Sequence, residues 1–535
     1  LLIQLRLGVG MSSALGGLGG LSVDSLKSNH FCIGVKRGRE YICNGDADED
    51  AKGKAVELLV EAVRRVQRWR VWDSWWIEEA MDEWLMARDR LEVQLRGKYS
   101  EEVVNAITGL VDEFINYNER FLNYWRDVGG EVKKLIEDLT SGRAEVVIRG
   151  KDASGISVHG EYVTLEADRT GTDSVTVQLK PNGLKGMAIR VPDIFRRTMS
   201  GEEYAKFVND VLKALKGGFE EADGFNSEGK AAMSTTQVWQ AIVWTLLYPG
   251  EVYVLVSEIN ANEGGVTITW HLRSDHNSLK GKILSNAEEL SEEGLLAFTF
   301  TAILGDGSAK IVKDGHGNDE ATIKITMSDQ AFKAWELMLR RLRDAGFRWG
   351  KSKIHGAVNV VFRSGYAIDL ARAMINVLPP ILRDILDALS FEKWLNIKRI
   401  AEMEVRWRRG EMQIEVTGYK FTVTIYKYTF ELVCSVRDET EAEKVIDALR
   451  AKYGDELVKY VRISRHGRGR RAVKISAKYI ERYNDLKARV IEVLCRKLEK
   501  TKDEEKKQAI IRYIKRLAQE RAPIKEVAVA LSHAS

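Results

Sequence analysis

The sequence predicts a multidomain α+β fold. Three observations predict it. Apolar residues recur at helical spacing over residues 50–140, strand patterns alternate with Gly, Asp and Ser from residue 144, and an apolar helix ending on Gly305-Asp306-Gly307-Ser308 opens a regular run of strands and helices. A chain of 535 residues has room for about three or four domains of ordinary size.

Residues 1–49 read as a leader. Leu1 to Leu21 is apolar and glycine-rich, has only Arg6 ahead of the run, lacks a small-residue cleavage site, and contains Met11 as a candidate start. Residues 50–140 read as helical, with Ala55, Leu58, Leu59, Ala62, Val63 and Val66 on one face. Trp69, Trp72 and Trp76 then share a face, which reads as an aromatic seam between helices or as a partner-binding surface.

Residues 144–283 read as a mixed α+β domain without evident chemistry. Strands are expected at 145–149, 162–165 and 174–178, helices at 202–215 and 235–247, and a hairpin at 251–272. His271, Asp275 and His276 read as solvated groups at a strand end, and 280–285 as a linker.

Residues 286–380 carry the informative unit. The opening helix places Gly294, Ala297, Thr301 and Gly305 on a single seam of small residues, and such seams let two helix backbones approach closely. Strands at 309–313 and 321–326 follow, then a helix capped by Ser328-Asp329, the basic turn Lys351-Ser-Lys353, a strand at 358–362 and a helix at 367–378. The order is αββαββα. Two such helices side by side would join their terminal carboxylates into a site for one or two cations acting on a phosphodiester, and hard oxygen ligands suit Mg²⁺.

A second helix of this kind must come from a dimer or a repeat. The best candidate is a degenerate repeat at 390–500, whose helix ends on Gly410-Glu411, making Asp306 and Glu411 the expected metal pair. Its large charged residues, among them Lys398, Arg399 and Arg406, suit a close seam poorly. Lys216-Gly-Gly-Phe-Glu-Glu-Ala-Asp-Gly224 echoes the motif, but its two glutamates interrupt the apolar pattern, so it reads as a surface loop. Residues 501–535 read as a charged helix and tail.

Lys and Arg total 82 against 78 acids, a net charge of +4, so any nucleic-acid surface must arise from local clustering. Arg462, Arg465, Arg468, Arg470 and Arg471 crowd one predicted turn with Lys474 behind them, and Lys324 lies on a strand face, in reach of phosphates or base edges. The four cysteines fit no zinc or CxxC spacing and read as buried or incidental thiols of a reducing, cytoplasmic compartment. No apolar run is long enough to span a membrane.

Residues 299–307, with the strand–turn–strand behind them, resemble the LAGLIDADG homing endonucleases. Asp306 falls on the metal-binding acid and Gly307 on the final glycine, while Thr299, Phe300 and Thr301 depart from the pattern. The resemblance implies saddle-shaped antiparallel sheets on double-stranded DNA, catalytic support from Lys351 and Lys353, and a homodimer or a monomer with a pseudo-repeat. Residues 140–410, through Met233 to Ala241, Tyr248 to Glu251 and Val266 to Arg273, also resemble the PaRep multicopy family (type 2b) of hyperthermophilic crenarchaea. That likeness implies a mobile or repeated gene and a scaffold that has kept nucleic-acid binding or a regulatory role without catalysis. A structural role for the tryptophan-rich helices is the remaining reading.

Overall fold

A computed structural model describes residues 23–37, 40–150, 152–170, 174–313, 319–354, 356–405, 412–426, 428–466, 470–501 and 503–518. Residues 1–22 of the expected leader, with Met11, lie outside the described residues, as do Glu411 and Arg468, whereas the described residues of that leader from Val23 on are folded, which corrects the leader reading there. Strands are numbered in chain order, as are the longer helices.

The N-terminal region starts with a hairpin, β1 (His30–Arg37) and β2 (Glu40–Asp46), followed by α1 (Glu49–Arg68), α2 (Trp75–Leu95) and α3 (Glu101–Thr140). Asp48 caps α1 by accepting from the Ala51 amide at 2.8 Å, satisfying a donor that the first helical turn leaves unpaired. Trp76 meets Trp125 edge-on at 5.4 Å, and Trp84 stacks on Phe114 at 4.5 Å. These rings are spent on helix–helix packing. The thiol reading needs correction: Cys32 and Cys43 form a disulfide, because pairing of β1 with β2 brings their Cα atoms to 5.5 Å. Cys434 and Cys495 are buried.

Five further strands follow: β3 (Glu145–Arg149), β4 (Gly155–His159), β5 (Val163–Thr170), β6 (Ser174–Pro181) and β7 (Met187–Val191). Next come α4 (Lys213–Ala222), β8 (Gly224–Ser227), β9 (Lys230–Thr235), α5 (Val238–Leu246), β10 (Gly250–Asn262) and β11 (Gly265–Asn277). All belong to one large sheet, ordered β2-β1-β3-β4-β5-β6-β10-β11-β9-β8, with β7 also on β10. The long strand β10 is the splice. One edge takes β11 throughout, and the other takes β7 at Gly250–Val254 and β6 at Ile259 and Asn260.

A second sheet follows α6 (Glu292–Asp306). It contains β12 (Gly307–Lys313), β13 (Asp319–Ser328), then after α7 (Asp329–Ala334) and α8 (Glu336–Asp344), β14 (Trp349–Ile354) and β15 (Ala357–Arg363). Its order is β12-β13-β15-β14. Helices α9 (Gly365–Val377), α10 (Pro380–Leu389) and α11 (Glu392–Glu402) close this part, and one apolar core unites it with everything before.

The C-terminal sheet has its own core. It comprises β16 (Gln413–Val416), β17 (Tyr419–Ile425), β18 (Phe430–Val436), α12 (Glu439–Tyr453), β19 (Val461–His466) and β20 (Arg470–Ser476), ordered β16-β17-β18-β20-β19, then α13 (Asn484–Lys500) and α14 (Glu504–Ala518). The ββαββ order expected at 390–500 is therefore present. No helix among the described residues is long and apolar enough to cross a membrane.

Candidate functional site

The partner of α6 is α4, which corrects the reading of Lys216 to Gly224 as a surface loop. Helix α6 is capped by Ser291, whose hydroxyl accepts from the Gly294 amide at 3.0 Å, and every residue from Gly294 to Leu304 is buried. A helix apolar on all sides needs protein on all sides. Helix α4 supplies one of them, with Ala214 through Glu220 buried.

The two backbones approach so closely that only small residues fit. A Cβ on Gly218 would lie 2.2 Å from the Phe298 carbonyl oxygen, and one on Gly305 would lie 2.4 Å from the Ala222 Cβ. The contact is pseudo-twofold, since Gly218 meets Thr301 and Ala222 meets Gly305 at matching places in two Asp-Gly-terminated segments. Gly224 and Gly307 repeat the relation. A Cβ on either would fall 2.6 Å from the Cα four residues earlier, Glu220 or Ile303, where the helix turns directly into β8 or β12.

The two glutamates that suggested a loop are internal fasteners. Glu220 is fully buried and accepts from the Tyr248 hydroxyl at 2.9 Å, the Ser278 hydroxyl at 2.7 Å, and the Leu279 and Lys280 amides at 2.8 and 3.1 Å. Glu221 accepts from the Gly281 amide. The expected linker is thus pinned against α4, and for Glu220 burial with full satisfaction replaces the solvation that a surface loop would give it, while Glu221 stays partly exposed.

This packing brings Asp223 and Asp306 together at one end of the helix pair. A Cβ on Gly305, the neighbour of Asp306, would sit 2.7 Å from Asp223 Oδ2. Gln240 of α5 donates to that same oxygen and accepts from Thr235 Oγ1 at 2.6 Å. Asp306 opens to solvent on one side while protein surrounds it on the other. Burial pushes its carboxyl above the usual range, the Asp223 charge adds to this, and Lys393 and Lys280 oppose it. Asp223 is also raised by burial, against the Gln240 hydrogen bond and the same two lysines. Lys280 donates to the Gly224 carbonyl, and Lys393, from α11, donates to the Leu304 and Gly305 carbonyls. Burial lowers the Lys393 ammonium, against the pull of Asp223 and Asp306.

Chemically the arrangement offers two carboxylates, nearby backbone carbonyl oxygens and two lysines at one solvent-facing point. The oxygen set fits a hard divalent cation. Among the described residues, the group of three side chains with metal-ligand spacing is elsewhere, at His30, Cys43 and Glu145, and its sulfur is tied up in the disulfide.

The other expected site residues are distributed differently. Glu411 lies outside the described residues, and the helix expected to carry it is α11, which ends at Glu402 and packs through Trp394, Ile397 and Ile400. Those wide residues hold it away from a glycine-tight pairing. Lys351 and Lys353 are on a strand, β14, opposite the buried Val360 and Val358, so they point to the helix side of the sheet. Lys351 lies 3.6 Å from the centre of the Phe332 ring and Lys353 pairs with Asp329 at 2.8 Å, so both brace α7 and neither joins Asp306.

Lys324 is on the opposite face. Alternation along β12, β13 and β15 buries Ala309, Ile323, Ile325, Val360 and Phe362, and turns Lys310, Lys324, Thr326 and Arg363 to the open side. The Arg462–Arg471 cluster splits between faces. Arg462 stands opposite Lys474 and pairs with Glu431, whereas Arg465 stands opposite Arg471, which reaches Glu439 at 3.2 Å. The Arg470 backbone pairs with His466 in β20. Among the described residues, Arg462 and Lys474 thus share one face of the strand pair and Arg465 and Arg471 the other.

Sequence reasoning missed Asp223, Gln240, Lys280 and Lys393. For Asp223 the signal was present: Ala222-Asp223-Gly224 repeats Gly305-Asp306-Gly307 at a separation of 83 residues (306 − 223), behind the small pair Gly217-Gly218. The lysines come from loops and helices remote in sequence, and no spacing announces them. No protein-family model matches this chain, and no curated protein does either.

Proposed function

We propose that the chain binds duplex DNA on a LAGLIDADG-like scaffold, with Asp223 and Asp306 as the acids that would hold a divalent cation, Mg²⁺ by ligand hardness. The observation that carries this reading is the glycine-tight pairing of α4 with α6. It joins two acids at the head of two sheets whose strand orders match, β8-β9-β11-β10 and β12-β13-β15-β14. A bound cation would supply Lewis-acid activation of water and of the leaving oxygen. Asp223, oriented by Gln240, and Asp306 would hold it. On the open sheet face, Lys310 and Lys324 are placed for phosphate contact, with Arg363, which pairs with Glu320 at 3.7 Å, beside them, and Thr326, oriented by its 2.8 Å hydrogen bond to the buried Asn359, for groove polar contact.

A second reading, binding without cleavage, is favoured by one observation: Lys393 and Lys280 already stand beside the two acids. Both readings are tested on the full chain with duplex DNA and supercoiled plasmid. Binding is expected to weaken steeply with added KCl, and binding indifferent to salt overturns the phosphate-contact model. Mg²⁺-dependent nicking that disappears in Asp306→Asn and Asp223→Asn supports the metal pair. Nicking that survives both substitutions removes it, and intact binding without nicking selects the second reading.

A further inference from the structure

We propose that the Lys393 ammonium is a built-in counter-ion that holds the place of a divalent cation, so that α11 gates the acid pair. This inference rests on the acid-pair reading above and adds its regulation. Lys393 donates to the Leu304 and Gly305 carbonyl oxygens at the C-terminal end of α6, the end where a helix dipole favours positive charge. Those carbonyls lie immediately before Asp306, and Asp223 Oδ2 is in contact range of Gly305. They are the neutral oxygens that a cation shared by the two carboxylates would use. A carbonyl oxygen has two lone pairs, but an ammonium and a divalent cation held on the same two oxygens would stand close enough to repel each other strongly. With Lys280 on the Gly224 carbonyl, two positive charges answer two negative ones.

The start of α11 is clamped across both halves of the site. Phe391 stacks on Trp239 of α5 with ring centres 3.8 Å apart and planes 4° from parallel. Trp394, 1% exposed, meets Phe300 of α6 edge-on at 5.9 Å and donates from its indole to Asp387 at 2.7 Å. Lys393 lies between these two anchors. Further along, Arg372 of α9 donates to the Ala401 and Met403 carbonyls at 2.7 Å, tying down the far end of the helix. A lysine on helix C-terminal carbonyls is a common cap. What distinguishes this one is that a braced helix from outside both ββαββ units delivers it to the point where the two acids meet.

The test is Mn²⁺ binding to the full chain, followed by the loss of the free-ion electron paramagnetic resonance signal, for wild type, Lys393→Met and Lys393→Met/Asp306→Asn. Methionine keeps the aliphatic stem and removes the charge. Lys393→Met is expected to bind Mn²⁺ on the order of tenfold or more tighter than wild type, with the gain abolished in the double variant. Equal affinity in wild type and Lys393→Met overturns the gate and leaves the acid pair standing. No binding in either chain, with DNA binding intact, overturns the gate and the metal reading together. A gain that survives Asp306→Asn also overturns the gate, because the ion then sits elsewhere. If Lys393→Met melts far below wild type, Lys393→Gln is compared under the same criteria, since its amide still donates to the α6 carbonyls without the charge.

Discussion

The helix-paired region and the C-terminal sheet contain the same ββαββ arrangement and use it differently. In the first, α4 and α6 each turn directly through Asp-Gly into the first strand, and glycines at the crossing let the two backbones touch. In the second, β17-β18-β20-β19 has the same order with β16 added at its edge, but the preceding helix α11 ends ten residues before Met412 on a wide Trp394, Ile397 and Ile400 face (412 − 402). The layer of strands and helix is specified by alternation alone. The site is specified by what the leading helix can tolerate at its contact.

Overpacking the crossing breaks that comparison most severely. Gly218→Val would drive a branched side chain into the Phe298 carbonyl and is expected to cost about 3 kcal/mol or more, because neither backbone can yield without moving the other. Arg399→Ala on the exposed side of α11 is expected to stay within about 0.5 kcal/mol. Urea midpoints of the two variants decide the point, and a Gly218→Val chain as stable as wild type would show that the helices are not locked together.

The buried acids give the next contrast. Glu220 has four hydrogen-bond donors, so Glu220→Ala strands buried partners and is expected to cost about 3 kcal/mol. Glu431 in the C-terminal sheet is also buried, yet it is held chiefly through Oε1 by an exposed Arg462, and Oε2 has no hydrogen-bond partner within bonding geometry among the described residues. Glu431→Gln is expected to cost less than about 1 kcal/mol. Comparable losses at the two positions would remove the distinction between a fastener and a tolerated burial.

Glu220 and its neighbour Glu221 also explain what the sequence could convey. Strand alternation at 309–313, 321–326 and 358–362, the Ser328 cap and the small seam of α6 are local patterns, and each was legible, whereas the Ser291 cap and the strand at Trp349–Ile354 were not read. The partner of the seam was not, because Glu220 and Glu221 look solvated until Tyr248, Ser278 and the 279–281 amides close around them. Element order then drew attention to residues 390–500, where the order recurs without the contact. Likewise Lys351 and Lys353 looked like turn residues near a site, and one step of strand register puts them on the other face.

DNA binding should separate the two sheets by a smaller margin. Replacing Lys310 and Lys324 by alanine is expected to reduce the salt slope of duplex binding by up to about 1.8, at about 0.9 for each phosphate no longer neutralised, and Arg363, paired with Glu320 at 3.7 Å, is expected to add less than either lysine. Replacing Arg462 and Lys474 is expected to change it by less than about 1, since Arg462 is already paired with Glu431. The reverse ranking, measured by fluorescence anisotropy across a KCl series, would move the interface to the C-terminal sheet.

The mildest effects are titrations, and here the regions should agree at high pH and oppose each other at low pH. Burial pushes Lys216 of α4 down to about 8, against Glu220, Asp193 and Asp275, and pushes Lys497 of α13 down to about 8, helped by Lys506. Between about 8 and the ordinary lysine value of 10.5 the unfolded chain keeps a proton that the native chain has released, so stability rises with pH in both regions. Lys216→Met and Lys497→Met should each flatten that rise locally. In acid the signs diverge. Asp223 and Asp306 are raised by burial, so just above the ordinary carboxylate range the native helix pair holds protons the unfolded chain has lost, and its stability falls as pH rises. Asp485, which burial pushes up but Tyr453 and Lys452 pull lower still, has the opposite sign: its contribution is present above the unfolded value and is lost as pH falls through the native one. Hydrogen exchange resolved by region and corrected for intrinsic rates reads both slopes in one chain. Parallel slopes in acid, or a helix-pair slope unchanged in Asp223→Asn/Asp306→Asn, would mean that the two aspartates do not share the desolvated point at which α4 and α6 meet.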